Sequence, residues 1–160
     1  MKIILPLSIA AFLVTATAHA QMKLPELKKQ PTPQAVLDEH FAALNACDWD
    51  RLLAQYPEDA QIHLANGMII KGRAAIGDLF VGFCKDPKDG GLKGMQFAPE
   101  HSMQIDGTFA TQWVATAPFL AEPYRGSDAY ITSDGYMKAM VVQDCLRTAS
   151  NRSALTCLRV

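Results

Sequence analysis

Two side chains in this 160-residue sequence could carry out proton chemistry, His40 and Asp128. His40 lies on a mostly apolar helical face, and an unperturbed imidazole titrates near neutral pH. Asp128 shares one strand face with Tyr130 and Thr132, and burial of that face would raise the pKa of its carboxyl. A neutral Asp128 could donate a hydrogen bond to a ligand oxygen or pair with His40. The alternatives are a core histidine and a buried aspartate whose hydrogen-bond partners are all internal.

The other histidines do not suggest a metal site. His63 alternates with Ile62 and Leu64 and is expected to face outward, whereas His101 could border a pocket. A metal site built from His40, His63 and His101 is rejected, because no carboxylates follow at a suitable spacing. The G-x-S-x-G, Walker and dinucleotide patterns do not occur, so acyl transfer and nucleotide chemistry lack support and no cofactor is expected.

Helices in the first half would position His40. Thr32 can cap a helix with Pro33 in its first position, and the apolar residues that follow recur at helical spacing. The other elements predicted here are a second helix at 49–56, strands at 60–64 and 68–70 around an Asn-Gly turn, and a third helix at 73–83.

The second half has the alternation of strands. These are predicted at 96–105, 108–117, 124–132 and 136–146, and the third of them carries Asp128. Helices first and antiparallel strands afterwards predict an α+β fold. We expect a curved antiparallel sheet that wraps about three N-terminal helices and forms a cone with a central pocket. The charged, glycine-rich segment 85–94 could close over that pocket.

Apolar and aromatic side chains are expected to line this pocket, or else to fill it completely. Aromatic residues at alternating strand positions more often belong to a core, so a filled cone without a ligand is the alternative. The candidate pocket residues are Leu64, Phe80, Phe83, Phe97, Trp113, Tyr130 and Met140.

Four cysteines follow the predicted signal sequence. An even number in an exported chain favours disulfides, although three pairings are possible and free buried thiols are the alternative. Cys145 and Cys157 flank residues 150–153 symmetrically and would face each other in a C-terminal hairpin. That pairing leaves Cys47, at the end of the first helix, for Cys84, at the end of a later one.

The N-terminus has the features of a signal peptide at residues 1–20. Lys2 precedes an apolar run, and Ala18-His19-Ala20 is a small-x-small cleavage site. The run is too short to span a bilayer. We predict a flexible leader at 21–32, one domain at 33–147 and a C-terminal extension at 148–160 that could add a strand. The protein is expected to be exported, with the periplasm favoured over the extracellular medium, and to have no membrane contact after cleavage.

The charge of the chain argues against a nucleic-acid partner. The formal net charge is −1, and roughly −2 once Lys2 is removed with the signal. No basic stripe or run of like charges is present.

The order of these segments resembles the nuclear transport factor 2-like superfamily, in particular its SnoaL-like and ketosteroid isomerase-like branch. The resemblance covers about residues 33–143 and includes AALNACDWD, GRAAI at 72–76, GSDAY at 126–130 and the final Asp134-Gly135 turn. It implies a cone-shaped α+β barrel with a deep pocket, and often a homodimer. In the isomerases a carboxylate base works with a tyrosine and a protonated aspartic acid. By resemblance, His40 takes the place of the tyrosine, Asp128 that of the aspartic acid, and Leu64 that of the base.

Three functional hypotheses follow from this resemblance and these residues. The first is a module that binds a small, largely apolar, polyketide- or steroid-like molecule, with Asp128 and His40 orienting its polar end. The second is a cofactor-free isomerase, cyclase or lyase in which His40 moves a proton and Asp128 stabilises an oxyanion. The third is a scaffold or dimerisation module. Leu64 cannot accept a proton, so whether the protein is an enzyme stays open and binding is favoured.

Overall fold

The computed structural model describes residues 23–143 and the backbone of two short strands beyond them. The predicted signal peptide and most of the C-terminal extension lie outside the described residues. The helices are α1 (Pro33–Ala46), α2 (Trp49–Leu53) and α3 (Arg73–Phe83), with a short 3-10 helix at Pro87–Asp89. The strands are β1 (Gln61–His63), β2 (Ile69–Lys71), β3 (Gln96–Ile105), β4 (Thr108–Thr116), β5 (Tyr124–Ser133), β6 (Tyr136–Gln143), β7 (Cys145–Leu146) and β8 (Thr156–Cys157).

Helix α1 begins as its sequence predicts. The Thr32 hydroxyl accepts a hydrogen bond from the Ala35 amide, and Pro33 occupies the first turn, where no amide hydrogen is needed. The helix ends at Cys47, which adopts a left-handed conformation. Its apolar face is buried together with His40. Helix α2 is shorter than expected and ends at Leu53.

Six strands form one curved sheet in the order β2-β1-β6-β5-β4-β3. The predicted α+β class is confirmed, but the sheet is mixed, because β1 runs parallel to β6. The sheet is also open, with β2 and β3 as its edges, so it is not a closed barrel. Hairpin β1–β2 occupies the outer edge of β1, which leaves its inner edge to pair with the last strand of the β3–β6 meander. Local alternation predicts hairpins, but not which edge a distant strand joins.

Curvature of the sheet lets it enclose α1. Register shifts occur between Pro99 and His101, and between Ile131 and Thr132, and such bulges bend a strand. Helix α1 packs against β3, β5 and β6. The Asn45 amide side chain donates to the Phe97 carbonyl at 2.9 Å and accepts from the Phe97 amide at 2.7 Å, which fixes the end of α1 to the edge strand.

The segment before α1 is attached to the domain, although its composition predicts a flexible leader. The Lys28 amide donates to Ala54 at 2.8 Å, and the Gln30 amide donates to Gly135 at 2.9 Å. The buried Arg73 guanidinium donates to the carbonyl oxygens of Pro25 and Leu53. None of the helices in the described part of the chain has the length and apolar character needed to cross a bilayer.

Candidate functional site

A cavity of about 850 Å³ lies between α1, α3 and the concave face of the sheet. Its wall is mostly aliphatic and aromatic. All seven of the candidate pocket residues from the sequence lie in this wall: Leu64, Phe80, Phe83, Phe97, Trp113, Tyr130 and Met140. The cone is therefore not filled by its own side chains, and its volume falls in the range of small-molecule sites.

His40 lies at the inner end of this cavity and is fully buried. Its Nδ1 lies 3.2 Å from the hydroxyl of Tyr56, which also lies 2.9 Å from the sulfur of Met140. Burial lowers the pKa of His40 from 6.5 to about 4. At neutral pH the imidazole is therefore uncharged and has one N–H and one lone pair.

Nε2 of His40 is buried without a hydrogen-bond partner among the described residues. The Tyr56 hydroxyl has a single proton. If Tyr56 donates it to the sulfur of Met140, Nδ1 of His40 carries the imidazole hydrogen; if Tyr56 donates to Nδ1, then Nε2 carries it. Nε2 is unpaired in both cases, as an acceptor in the first and a donor in the second. An unpaired buried group of this kind costs about 1–3 kcal/mol, part of which a partner on a ligand would recover.

Asp128 lies on β5, two residues before Tyr130, whose ring contacts that of His40. It is 9% exposed, and its Oδ2 accepts a hydrogen bond of 3.0 Å from the Tyr130 hydroxyl. Its Oδ1 accepts one of 3.3 Å from the Gln143 amide. Burial raises the pKa of Tyr130, and the charge of Asp128 raises it further. For Tyr56, too, burial and then the charge of Asp128 raise the pKa.

The structure thus brings His40 and Asp128 to one cavity but pairs each with a tyrosine. The His40 ring lies 5.5 Å from the Tyr130 ring and 6.2 Å from the Tyr56 ring. Sequence reasoning found Tyr130 and missed Tyr56 as a member of the site. Tyr56 follows a five-residue helix in an irregular segment, where no periodicity shows which way a side chain points.

Polar and charged side chains border the cavity at its other end. Asn66 comes from the turn between β1 and β2, and Lys85 and Asp89 come from the glycine-rich segment after α3. Gly90 and Leu92 of this segment also line the cavity. The segment expected to lie over the pocket therefore forms part of its exposed border.

A disulfide joins Cys47 to Cys84, as predicted. It links the end of α1 to the end of α3, and Cys84 lies between the cavity residues Phe83 and Lys85. For the second predicted disulfide, the backbone pairing of β7 and β8 places Cys145 opposite Cys157. The side chains of these two cysteines lie outside the described residues, so that bond stays a prediction.

His63 and His101 lie on strands β1 and β3. His63 is half-buried on β1, where its Nε2 lies 3.3 Å from the Gln61 side-chain oxygen. His101 is exposed on β3. Neither of them lines the cavity that contains His40.

A family model described as a SnoaL-like domain matches residues 37–137. The chain belongs to this family. The match covers both helical and strand segments, and it includes His40, Leu64 and Asp128. No curated protein sequence matches the chain.

Several solved structures are similar to this SnoaL-like domain. One is an NTF2-like protein of unknown function from Cytophaga hutchinsonii, 12% identical, covering 72% of this chain and 92% of that one, with a TM-score of 0.56. Another is SalBIII, an epoxide hydrolase/cyclase-like enzyme with a role in pyran ring formation in salinomycin, 19% identical, covering 69% and 88%, TM-score 0.56. A third is TerC co-crystallised with polyporic acid, 14% identical, covering 68% and 88%, TM-score 0.57. At these identities the likeness supports the shared cone fold.

Proposed function

We propose that this SnoaL-like domain is an exported protein that binds a small, largely apolar molecule in its cone cavity. The observation that carries the proposal is the cavity of about 850 Å³, whose wall is mostly apolar and whose inner end holds His40, Asp128 and Tyr130. Transfer of the apolar part of a ligand from water into this cavity would be favourable in free energy. A single oxygen on that ligand could form a hydrogen bond with one of these three side chains, which would fix the orientation of the ligand. TerC, which shares the fold, was crystallised with a small molecule, polyporic acid.

Native mass spectrometry of the full chain, purified from an oxidising compartment, tests this proposal. We expect a retained small-molecule adduct that is lost in Asp128→Ala. Asp38→Ala is the matched control, because Asp38 is an exposed carboxylate on α1 that hydrogen-bonds only Gln34 among the residues described. Loss of the adduct in both variants would contradict a polar anchor at Asp128. A ligand-free mass together with no uptake of apolar probes would overturn the binding function. The same masses report cleavage after Ala20 and the homodimer that we also propose.

Catalysis is the second candidate function, with His40 and Asp128 acting on an enolisable or polyketide-like substrate. Leu64 lines the cavity. By the family resemblance it takes the place of the isomerase base, and it has no group that can accept a proton. His40 is uncharged and fully buried, which makes it a poor proton donor at neutral pH. Leu64→Asp supplies a base, and Leu64→Asn matches it in size without one. Isomerisation of a Δ5-3-ketosteroid by the Asp variant alone would show that the rest of the site is competent.

A further inference from the structure

The backbone conformation at residue 126 does not require a glycine. It lies inside β5 and is not among the residues with positive φ. Any L-residue could adopt its extended conformation. Glycine weakens a strand because it loses more conformational freedom on folding and has no side chain to pack. A glycine in this position therefore indicates that another group approaches the backbone closely.

The approaching group is the indole of Trp113. Trp113 is the cross-strand partner of Gly126, and its ring lies over the glycine. A Cβ placed on Gly126 would be 2.6 Å from Cη2 and 3.0 Å from Cε2 of the indole, and nearer still to Cζ2. These separations are below van der Waals contact, so the indole would have to move.

Neighbouring rings limit the directions in which the indole can move. The Phe97 ring lies 5.3 Å from it at 72°, and the Tyr124 ring lies 5.5 Å from it at 43°. The β5 backbone lies behind it. Trp113 forms part of the cavity wall, so the space that remains is the cavity itself.

We propose that Gly126 determines the size of ligand that the cavity accepts, because it lets the Trp113 indole lie against β5 and out of the cavity. Residue 126 would then be a specificity-determining position, although its own backbone need not touch the ligand. A side chain there would push the indole inward and exclude larger molecules. This inference rests on the ligand-binding function proposed above.

Two neutral aromatic alcohols of different size test the proposal by calorimetric titration, the larger 1-hydroxypyrene and the smaller 2-naphthol. Gly126→Ala is expected to raise the Kd of the larger probe by about tenfold or more and the Kd of the smaller probe by less than about threefold. Trp113→Phe removes the clashing part of the ring. The double variant Trp113→Phe/Gly126→Ala should therefore bind the larger probe within about threefold of Trp113→Phe alone.

Ser127→Thr is the control for added bulk, because it adds one methyl at the next strand position, where side chains point to the other face. It should leave both affinities unchanged. In a Trp49→Phe background the emission of Trp113, then the sole tryptophan, should change on Gly126→Ala even without a probe. Failure of the parent protein to bind either probe would overturn the binding function, while the emission would still report on the indole. The role of Gly126 would be overturned if Gly126→Ala lowered the affinity for both probes equally. It would also be overturned if the double variant did not recover the affinity of Trp113→Phe for the larger probe.

Discussion

The Tyr56 hydroxyl oxygen and Nδ1 of His40 lie 3.2 Å apart in the core, and neither side chain has measurable exposure. The histidine therefore has a neutral hydrogen-bond partner and no counter-ion among the interactions that the structure gives it. A charged imidazole at this position would lose its hydration, and this cost exceeds what its surroundings return. This accounts for the low pKa of His40, about 4, which has a direct consequence for stability.

The free energy of unfolding should rise as the pH increases from about 4 to 6.5. In that interval the unfolded chain binds a proton at His40 and the native protein does not, so acidification favours unfolding. The shift corresponds to about 3 kcal/mol of stability, which is fully present above pH 6.5 and is lost as the pH falls to about 4. Urea denaturation at several pH values measures it. His40→Gln should flatten the slope. An equal slope in His40→Gln would contradict the burial of a neutral imidazole.

The two buried tyrosines should resist ionisation until the protein unfolds. Burial, and after it the charge of Asp128, raise the pKa of Tyr56 and Tyr130. Because the unfolded chain ionises first, the stability present below pH 10 is lost as the pH rises further. Absorbance at 295 nm should therefore show a cooperative step in alkali that coincides with loss of the fold. Tyr56→Phe and Tyr130→Phe should each reduce that step.

Much of the fold could be predicted because its signals are local. The cap at Thr32, the proline after it and the apolar spacing of α1 depend on residues within a few positions. The strand predicted at 108–117, with Trp113 on its inner face, depends only on the alternation of neighbouring residues. Both features hold in the structure.

Contacts between distant segments could not be predicted in the same way. The parallel pairing of β1 with β6 depends on which sheet edge is free, and not on any residue of β1. The contact of Tyr56 with His40 depends on a helix end whose direction has no periodic signal. The need for a glycine at residue 126 becomes clear only from the position of the Trp113 indole on the neighbouring strand. The identity of the cavity residues could be inferred from residue type and strand face, whereas their hydrogen-bond partners depend on contacts between distant segments.

Asp128→Asn should destabilise the protein by about 1–2 kcal/mol. The carboxylate accepts from both the Tyr130 hydroxyl and the Gln143 amide, and an amide side chain offers only one oxygen. One of the two donors must therefore lose its acceptor. Chemical denaturation at pH 7 measures the loss. Tyr130→Phe combined with Asp128→Asn should cost less than the sum of the single changes, because the two share one hydrogen bond. Additive costs would show that the Tyr130 contact contributes nothing.

Reduction of the Cys47–Cys84 disulfide should lower the free energy of unfolding by about 4 kcal/mol, the entropy of closing the loop between residues 37 apart. The bond joins the ends of α1 and α3, and Cys84 lies between two residues that line the cavity, Phe83 and Lys85. Reduction should therefore also weaken probe binding, since the segment that borders the cavity loses its attachment to α1. Urea unfolding and probe titration with and without dithiothreitol measure both effects. The Cys145→Ser/Cys157→Ser variant keeps only the Cys47–Cys84 bond, so its response to reduction isolates the contribution of that bond and should still be about 4 kcal/mol. If reduction no longer affects that variant, the stabilising bond lies in the C-terminal pair and not between α1 and α3.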